Sequence, residues 1–151
     1  MRPKALRHVV PALALILVGG CPVFAFDNRI EVRDIESIIR NNPLPPGGPT
    51  ASIVEFIRAG GSEIGVLVMS RNRLHHHEAQ DHVLYLVRGQ GVAKLESESG
   101  QVETRSIKPG DIFSLPRGLK HGFEKSGDED LVFLVVATPL PQGVEETTYH
   151  E

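Results

Sequence analysis

The sequence predicts an all-β domain, and three observations support this fold class. From Thr50 onward, short apolar runs and strict alternation of apolar and polar residues follow the period of two that is typical of β-strands. Clusters of turn-forming residues separate these runs. The 15 glycines and 11 prolines are spread along the chain, which favours many short strands over a few long helices.

Composition narrows the class of protein further. A chain of 151 residues suffices for one domain with its own apolar core. With 40% hydrophobic residues and a net charge of -3, the sequence favours neither disorder nor a nucleic-acid-binding surface. Cys21 is the single cysteine, so the mature domain is expected to contain no internal disulfide.

Residues 1–25 have the layout of a secretory signal. A basic start is followed by an apolar stretch of about ten residues and a small-residue end, which is too short to span a bilayer. Cleavage after Ala25 would release a chain that begins at Phe26, in the periplasm or outside the cell. Residues 17–21 also resemble a lipoprotein signal of residues 1–20, which would anchor the chain through a lipidated Cys21. A buried N-terminal element is the alternative, although it would not need the basic leader.

Residues 26–50 are predicted to contain one short helix and a proline-rich linker. Ile35, Ile38 and Ile39 recur at helical spacing, and Asp34 precedes them as a candidate N-cap. Residues 41–49 contain four prolines and two glycines, which end regular structure before the sheet begins.

Residues 51–138 are predicted to form a sandwich or barrel of about eight strands. Candidate core residues on these strands are Phe56, Leu84, Leu86, Phe113, Phe133 and Val135. The predicted strands are 52–59, 63–71, 82–88, 91–96, 101–107, 111–115, 122–125 and 131–138. Residues 139–151 are interpreted as a polar tail without a signal of its own, which includes His150.

Four histidines within nine residues form the most distinctive segment, and they point to a metal centre. Alternate side chains of an extended segment share a face, so His75 and His77 are expected to point together while His76 points away. His82 begins the next strand on the face of Leu84 and Leu86. A histidine on an inward face needs a partner for its ring nitrogens, and a metal supplies one.

Two motifs in this stretch resemble those of the cupin superfamily, whose members are small double-stranded β-helix, or jelly-roll, barrels. Its first motif has two histidines separated by one residue, then a glutamate and a glycine. His75, His77 and Gly89 match it, with His82 at the glutamate position. The second motif is matched without a gap by Gly110, Pro116, Gly118 and His121. The resemblance covers roughly residues 52–138 and implies a jelly-roll barrel.

The sequence departs from the family pattern at three positions. Met69 replaces the leading glycine of the first motif, and Lys125 replaces the closing asparagine of the second. His82 replaces the glutamate, so the resemblance implies a ligand set of His75, His77, His82 and His121. Neutral imidazoles would leave a divalent ion its full charge, which favours anionic ligands and stronger Lewis acidity.

The expected cofactor is one divalent metal ion, and imidazole ligands leave iron, copper, nickel, zinc and manganese open. Glu78, Asp81 and Tyr85 are the nearby candidates for proton transfer. Glu78 and Asp81 are alternatively exposed turn residues or partners that orient an imidazole. Two cations beside His121 are candidate anion-binding groups or, alternatively, solvated loop charges: Arg117 and Lys120.

Three functions remain open at this point, because one fold serves many activities. The first is an exported metal-dependent dioxygenase or related oxidoreductase acting on a small molecule that could be anionic. The second is a non-catalytic periplasmic module that binds or senses a metal or small ligand through a coordinatively filled site. The third is a structural domain that dimerises through the barrel. A homodimer is compatible with all three, and neither a nucleic-acid partner nor a transmembrane segment in the mature chain is expected.

Overall fold

A computed structural model of the protein describes residues 30, 32–59, 61–139 and 147–150. The predicted secretory or lipoprotein signal and Cys21 lie outside the described residues. The elements in chain order are α1 (Ile35–Asn41), β1 (Ala51–Ala59), β2 (Ser62–Met69), β3 (His75–His77), β4 (His82–Arg88), β5 (Gly91–Glu96), β6 (Val102–Ile107), β7 (Ile112–Leu115), β8 (His121–Lys125), β9 (Leu131–Ala137) and β10 (Thr147–Tyr149).

Two five-stranded antiparallel sheets pack face to face. The first sheet has the order β1-β2-β9-β4-β7, and the second has the order β10-β3-β8-β5-β6. Most strands that are neighbours in sequence, such as β3 and β4, therefore lie in opposite sheets, whereas β1 pairs with β2 and β5 pairs with β6 within one sheet. This arrangement confirms the predicted all-β fold and its jelly-roll barrel.

The single predicted helix is confirmed, including its cap. The Asp34 carboxylate accepts a hydrogen bond from the backbone N–H of Ser37 at 3.1 Å, which satisfies one of the unpaired donors of the first turn. Ile35, Ile38 and Ile39 pack against the outer face of the first sheet, on Val66 and Val132. Within the described part of the chain, no helix has both the length and the apolar character to cross a membrane.

The eight predicted strands are present, with bounds within two residues of those predicted. Two short strands were not predicted, β3 and β10. Residues 147–149, in the tail that was interpreted as polar and without a signal of its own, pair with β3. A strand of three residues with two threonines carries little apolar pattern of its own. Its position therefore depends on its pairing with β3.

The core lies between the two sheets. Three phenylalanine rings form its centre, with centroids 5.1 to 6.2 Å apart: Phe113, Phe123 and Phe133. Five of the six predicted core residues are buried, namely Leu84, Leu86, Phe113, Phe133 and Val135. The side chain of Phe56 lies outside the described part of the structure.

Gly89 is required by the turn that leads from β4 to β5. Its φ is +86°, a conformation that L side chains rarely adopt, and an added Cβ would lie 2.5 Å from the carbonyl oxygen of Asp130. The turn therefore combines a left-handed backbone with close packing on the start of β9. This glycine leads β4 from the first sheet into β5 of the second, beside the histidine-bearing strand β8.

Candidate metal centre

Strands β3 and β8 bring three histidines together in the second sheet. His75 of β3 is paired directly with His121 of β8. Along β3 the side chains of His75 and His77 are buried while that of His76 is less so, which is the alternation expected of a strand. His75, His77 and His121 are only 7%, 9% and 3% exposed, so three imidazoles meet inside the end of the sandwich.

The ring nitrogens of this histidine triad converge. One ligand atom of each histidine lies within 4.8 Å of the ligand atoms of the other two, which is close enough for one metal ion to be shared. The ring centroids are 4.4 Å apart for His75 and His121, 5.0 Å for His75 and His77, and 5.1 Å for His77 and His121. The triad therefore has both the donor type and the spacing of a metal centre.

Backbone carbonyls fix the orientation of two of these rings. His75 Nδ1 lies 2.8 Å from the Arg73 carbonyl oxygen, and His121 Nδ1 lies 3.0 Å from that of Leu119. A carbonyl oxygen only accepts, so each Nδ1 carries the proton and each Nε2 carries the lone pair of a neutral ring. This is the arrangement in which a histidine ligates through Nε2 while its other nitrogen is held by the protein.

The surroundings keep His77 and His121 uncharged. Burial, together with nearby His82 and His75, lowers the pKa of His77 from 6.5 to about 3. Burial, reinforced by nearby His75, lowers the pKa of His121 from 6.5 to about 3. Because a proton and a metal ion compete for the same lone pair, rings that stay neutral are ready to ligate over a wide pH range.

His82 faces the triad from the opposite sheet. It begins β4, and its ring centroid lies 4.1 Å from that of His77. Its Nε2 lies 3.5 Å from the side-chain oxygen of Gln80, a buried residue whose amide nitrogen donates to the Thr138 carbonyl. His82 is not part of the group whose ligand atoms all lie within 4.8 Å of one another. Its role as a fourth ligand remains a proposal.

An ion pair joins the loop between β3 and β4 to the loop that leads into β8. The Asp81 carboxylate accepts from the backbone N–H of Arg117 at 2.9 Å and from its guanidinium at 2.6 and 3.2 Å. These hydrogen bonds lower the pKa of Asp81 to about 2. The backbone N–H of Gly118 also donates to the His77 carbonyl at 2.8 Å. The loop before His82 and the loop before His121 are therefore held at one relative position.

The three predicted proton-transfer residues lie away from the triad. Glu78 accepts from Thr148 at 2.7 Å and lies 2.9 Å from His76 Nε2, so it supports the outward-facing histidine. Asp81 is bound to Arg117, as described above. Tyr85 is 42% exposed on the face of β4 opposite to Leu84 and Leu86, because strand alternation turns it outward, and its role in proton transfer stays a prediction.

The two predicted anion-binding cations are each paired with a carboxylate. Arg117 binds Asp81, and the Lys120 ammonium lies 3.1 Å from Glu96. Glu96 also accepts from the backbone N–H of Lys120 at 3.0 Å. Both cations thus hold the conformation of the loop beside His121. This favours the interpretation of Arg117 and Lys120 as loop charges over that of anion-binding groups.

Strand β10 supplies residues that the sequence interpretation missed. Thr147 Oγ1 lies 3.5 Å from His77 Nδ1, and the Tyr149 ring centroid lies 5.8 Å from that of His75. His150 Nε2 lies 2.8 Å from His76 Nδ1. Residues 147–149 are two threonines and a tyrosine, residue types that are enriched in strands, and this was the one signal available for a strand here.

A cleft of about 460 Å³ opens between β6 and β7 and reaches the triad at His121. Its apolar wall contains Leu95, Phe113 and Leu115. A cleft of this volume is in the range that accepts small molecules. The histidine centre is thus in contact with a space that a small ligand can enter.

Comparison with known proteins supports the fold and the class of site. Residues 66–137 match the sequence model of the family described as "Cupin domain". The acireductone dioxygenase of Bacillus cereus is 32% identical over 106 residues, which cover 70% of this chain and 62% of that protein. That of Bacillus mycoides is 32% identical over 57 residues, covering 38% of this chain and 34% of that protein. The chain therefore spans less than two thirds of the length of these curated relatives.

The crystal structure of the protein TT1209 from Thermus thermophilus resembles this fold. Its TM-score is 0.58 at 22% sequence identity, and the match covers 74% of this chain and all of that chain. At this identity the likeness concerns the fold alone.

Removal of a triad histidine is expected to empty the centre. We expect His75→Ala and His121→Ala to lose most of the bound metal, because each removes one of three converging ligands. His76→Ala is the matched control, since its ring faces outward toward His150 and should leave the metal in place. The number of metal ions bound per chain is measured for each variant by elemental analysis. Circular dichroism verifies that each variant is folded. Loss of metal from His76→Ala alone would contradict the strand register.

The metal-free protein is expected to lose stability as the pH falls. The pKa values of His77 and His121 are about 3 in the folded protein against 6.5 for an ordinary imidazole. The unfolded chain therefore binds protons first, and the free energy of unfolding decreases as the pH drops from 6.5 toward 3. Urea unfolding between about pH 7 and about pH 5, above the range where most carboxylates titrate, measures this decrease.

The double variant His77→Gln/His121→Gln should show a flatter pH profile over that interval than His76→Gln, which keeps both buried imidazoles. Equal slopes for these two variants would show that the buried histidines do not cause the pH dependence.

Proposed function

Because the chain carries a cupin domain at residues 66–137, we propose that it is a metal-dependent dioxygenase or related oxidoreductase that acts on a small molecule. The observation that carries the proposal is the buried triad of His75, His77 and His121, with ligand atoms within 4.8 Å of one another. Imidazole donors suit iron, copper, nickel, zinc and manganese to different degrees, and one such divalent ion is the proposed cofactor.

The histidines of the chain would hold this ion and leave room for a substrate. His75 and His121 are aimed by the carbonyls of Arg73 and Leu119, so their Nε2 lone pairs have a fixed direction. Three protein ligands leave coordination positions open. When bound, a divalent ion would supply Lewis acidity and, if it is redox-active, electrons for chemistry with dioxygen.

The surroundings of the triad fit chemistry on a small organic molecule. The cleft beside His121 offers a small molecule apolar contacts with Leu95, Phe113 and Leu115. The relatives named acireductone dioxygenase support an oxygenase, and acireductone is therefore the first substrate to test.

A second function is favoured by one observation, the position of His82. Its ring lies 4.1 Å from that of His77, so a modest rotation would add a fourth imidazole to the centre. Four histidines around zinc or copper would complete a tetrahedral shell and leave no position for a substrate. Such a protein would bind or sense a metal or small ligand without catalysing a reaction.

Ligand exchange at the metal separates these two functions. For the oxygenase we expect about one iron, nickel or copper ion per chain, a spectrum that changes on addition of azide or nitric oxide, and consumption of dioxygen with acireductone or a related enediol. His121→Ala should abolish the consumption, and His76→Ala should retain it. An unresponsive, tightly held zinc or copper ion would favour the binding module, and failure to load any metal would contradict both.

We also propose that the chain is exported, because residues 1–25 have the charge and hydropathy pattern of a secretory signal. Expression in a Gram-negative host followed by mass measurement of the mature protein tests this. Cleavage is expected to leave Phe26 at the N-terminus, and a lipid-bearing Cys21 would instead indicate the anchored form. A full-length chain in the cytoplasmic fraction, with Met1 retained, would contradict export.

A further inference from the structure

Arg105 lies on the inner face of the second sheet. Residues that are paired across antiparallel strands share a face, and Arg105 of β6 is paired with Ala93 of β5, which is paired with Phe123 of β8. Ala93 and Phe123 are both buried in the core. Arg105 is exposed because β6 is the edge strand, and its side chain lines the cleft that reaches His121.

Arg105 is the one cation of this cleft that has no charged partner among the described residues. Lys120 is held by Glu96 at 3.1 Å. The Asp111 carboxylate accepts from the backbone N–H of Lys108 at 3.0 Å and lies 3.7 Å from its ammonium. The other charged groups of the wall are therefore satisfied by the protein, and the guanidinium of Arg105 is available to a ligand.

We propose that Arg105 binds a carboxylate group of the substrate and thereby orients the rest of the molecule toward His121. The reaction in this inference rests on the proposed function, whereas the binding of a carboxylate does not. Acireductone carries an enediol and a ketone but no carboxylate, so the substrate inferred here is a carboxylate-bearing molecule and not acireductone itself. A guanidinium presents a planar pair of N–H donors that matches the two oxygens of a carboxylate.

The charge of the cleft favours a carboxylate over a phosphate. One unpaired guanidinium balances the single charge of one carboxylate group, whereas a phosphate carries up to two charges on one group and would require a second available cation beside Arg105, and Lys120 is occupied by Glu96. Glu103 lies two residues before Arg105 on the same strand face, but it does not line the cleft. Its nearby negative charge further disfavours two negative charges on one group at Arg105.

The geometry limits the size of the ligand. His121 and Arg105 are two strands apart and two residues apart in register, which places their Cα atoms about 12 Å from each other in a regular sheet. The long arginine side chain shortens this span. A small organic acid of the size of succinate or glutarate fits between the two groups, within a cleft of about 460 Å³.

Carboxylate binding tests this proposal without any reaction. Binding of propionate, succinate and glutarate is measured by calorimetry or by NMR titration, on the metal-free and the metal-loaded full chain, with succinamide and inorganic phosphate as comparison ligands. We expect at least one carboxylate to bind, and Arg105→Gln to weaken its affinity about tenfold or more, as expected for a charge-assisted bidentate contact. Lys94→Gln is the matched control, since Lys94 is an exposed cation on the outer face of the adjacent strand.

Several results would overturn the proposal. One is that none of the three acids binds detectably, and another is that succinamide binds as tightly as succinate. The proposal also fails if Arg105→Gln and Lys94→Gln lose equal affinity, or if phosphate binds more tightly than the carboxylates in a way that depends on Arg105. A change in oligomeric state of Arg105→Gln without a change in carboxylate affinity would instead assign the residue to an interface between copies. Circular dichroism verifies that the variants fold.

The proposal and the proposed function fail in different measurements. Arg105-dependent carboxylate binding by a protein that consumes no dioxygen would refute the oxygenase and leave the anion site standing. Oxygen consumption that Arg105→Gln leaves unchanged in both KM and kcat, together with unchanged carboxylate affinity, would refute the anion site and leave the oxygenase standing.

Discussion

The burial of three imidazoles at the end of an apolar core is the constraint on which the rest of the site depends. His75, His77 and His121 sit above the phenylalanine cluster, and the His121 ring lies 6.2 Å from that of Phe123. A buried polar ring is costly unless its nitrogens are bonded, and a buried charged ring is costlier still. The protein meets this cost with carbonyl partners at Nδ1 of His75 and His121 and with lowered pKa values that keep His77 and His121 neutral, and both conditions also prepare these rings to ligate a metal.

The same constraint explains why the surrounding loops are so firmly connected. The triad is assembled from strands that lie far apart in sequence, so its geometry depends on the loops before β4 and β8. The pair of Asp81 and Arg117 is exposed and contributes little to global stability, but its two guanidinium contacts and one backbone contact fix the relative position of those loops. Two further contacts hold β3, the strand that carries His75 and His77. The backbone N–H of Gly118 donates to the His77 carbonyl, and β10 pairs with β3.

The sequence alone predicted the features that depend on a local residue pattern. It did not predict the features that depend on contacts between residues far apart in sequence. Period-two alternation located the strands and separated His75 and His77 from His76. The same alternation, which put His82 on the face of Leu84 and Leu86, also places Tyr85 on the opposite, exposed face. By contrast, the partners of Arg117 and Lys120 are 36 and 24 residues away in sequence, so no local pattern could show that these cations are occupied.

The electrostatics of the centre and of the cleft combine to select a ligand and its orientation. An ion held only by neutral imidazoles would keep its full positive charge in a poorly solvated position, where attraction for an anion is strong. Arg105 is exposed, so water and salt screen its charge, and its contribution to affinity depends on the bidentate geometry of its contact with a carboxylate. The more strongly nucleophilic or ionisable end of a substrate is therefore expected at the histidines, and the carboxylate, which is already ionised in water, at Arg105. A molecule with a carboxylate at one end and an enolisable or hydroxyl group at the other satisfies both positions.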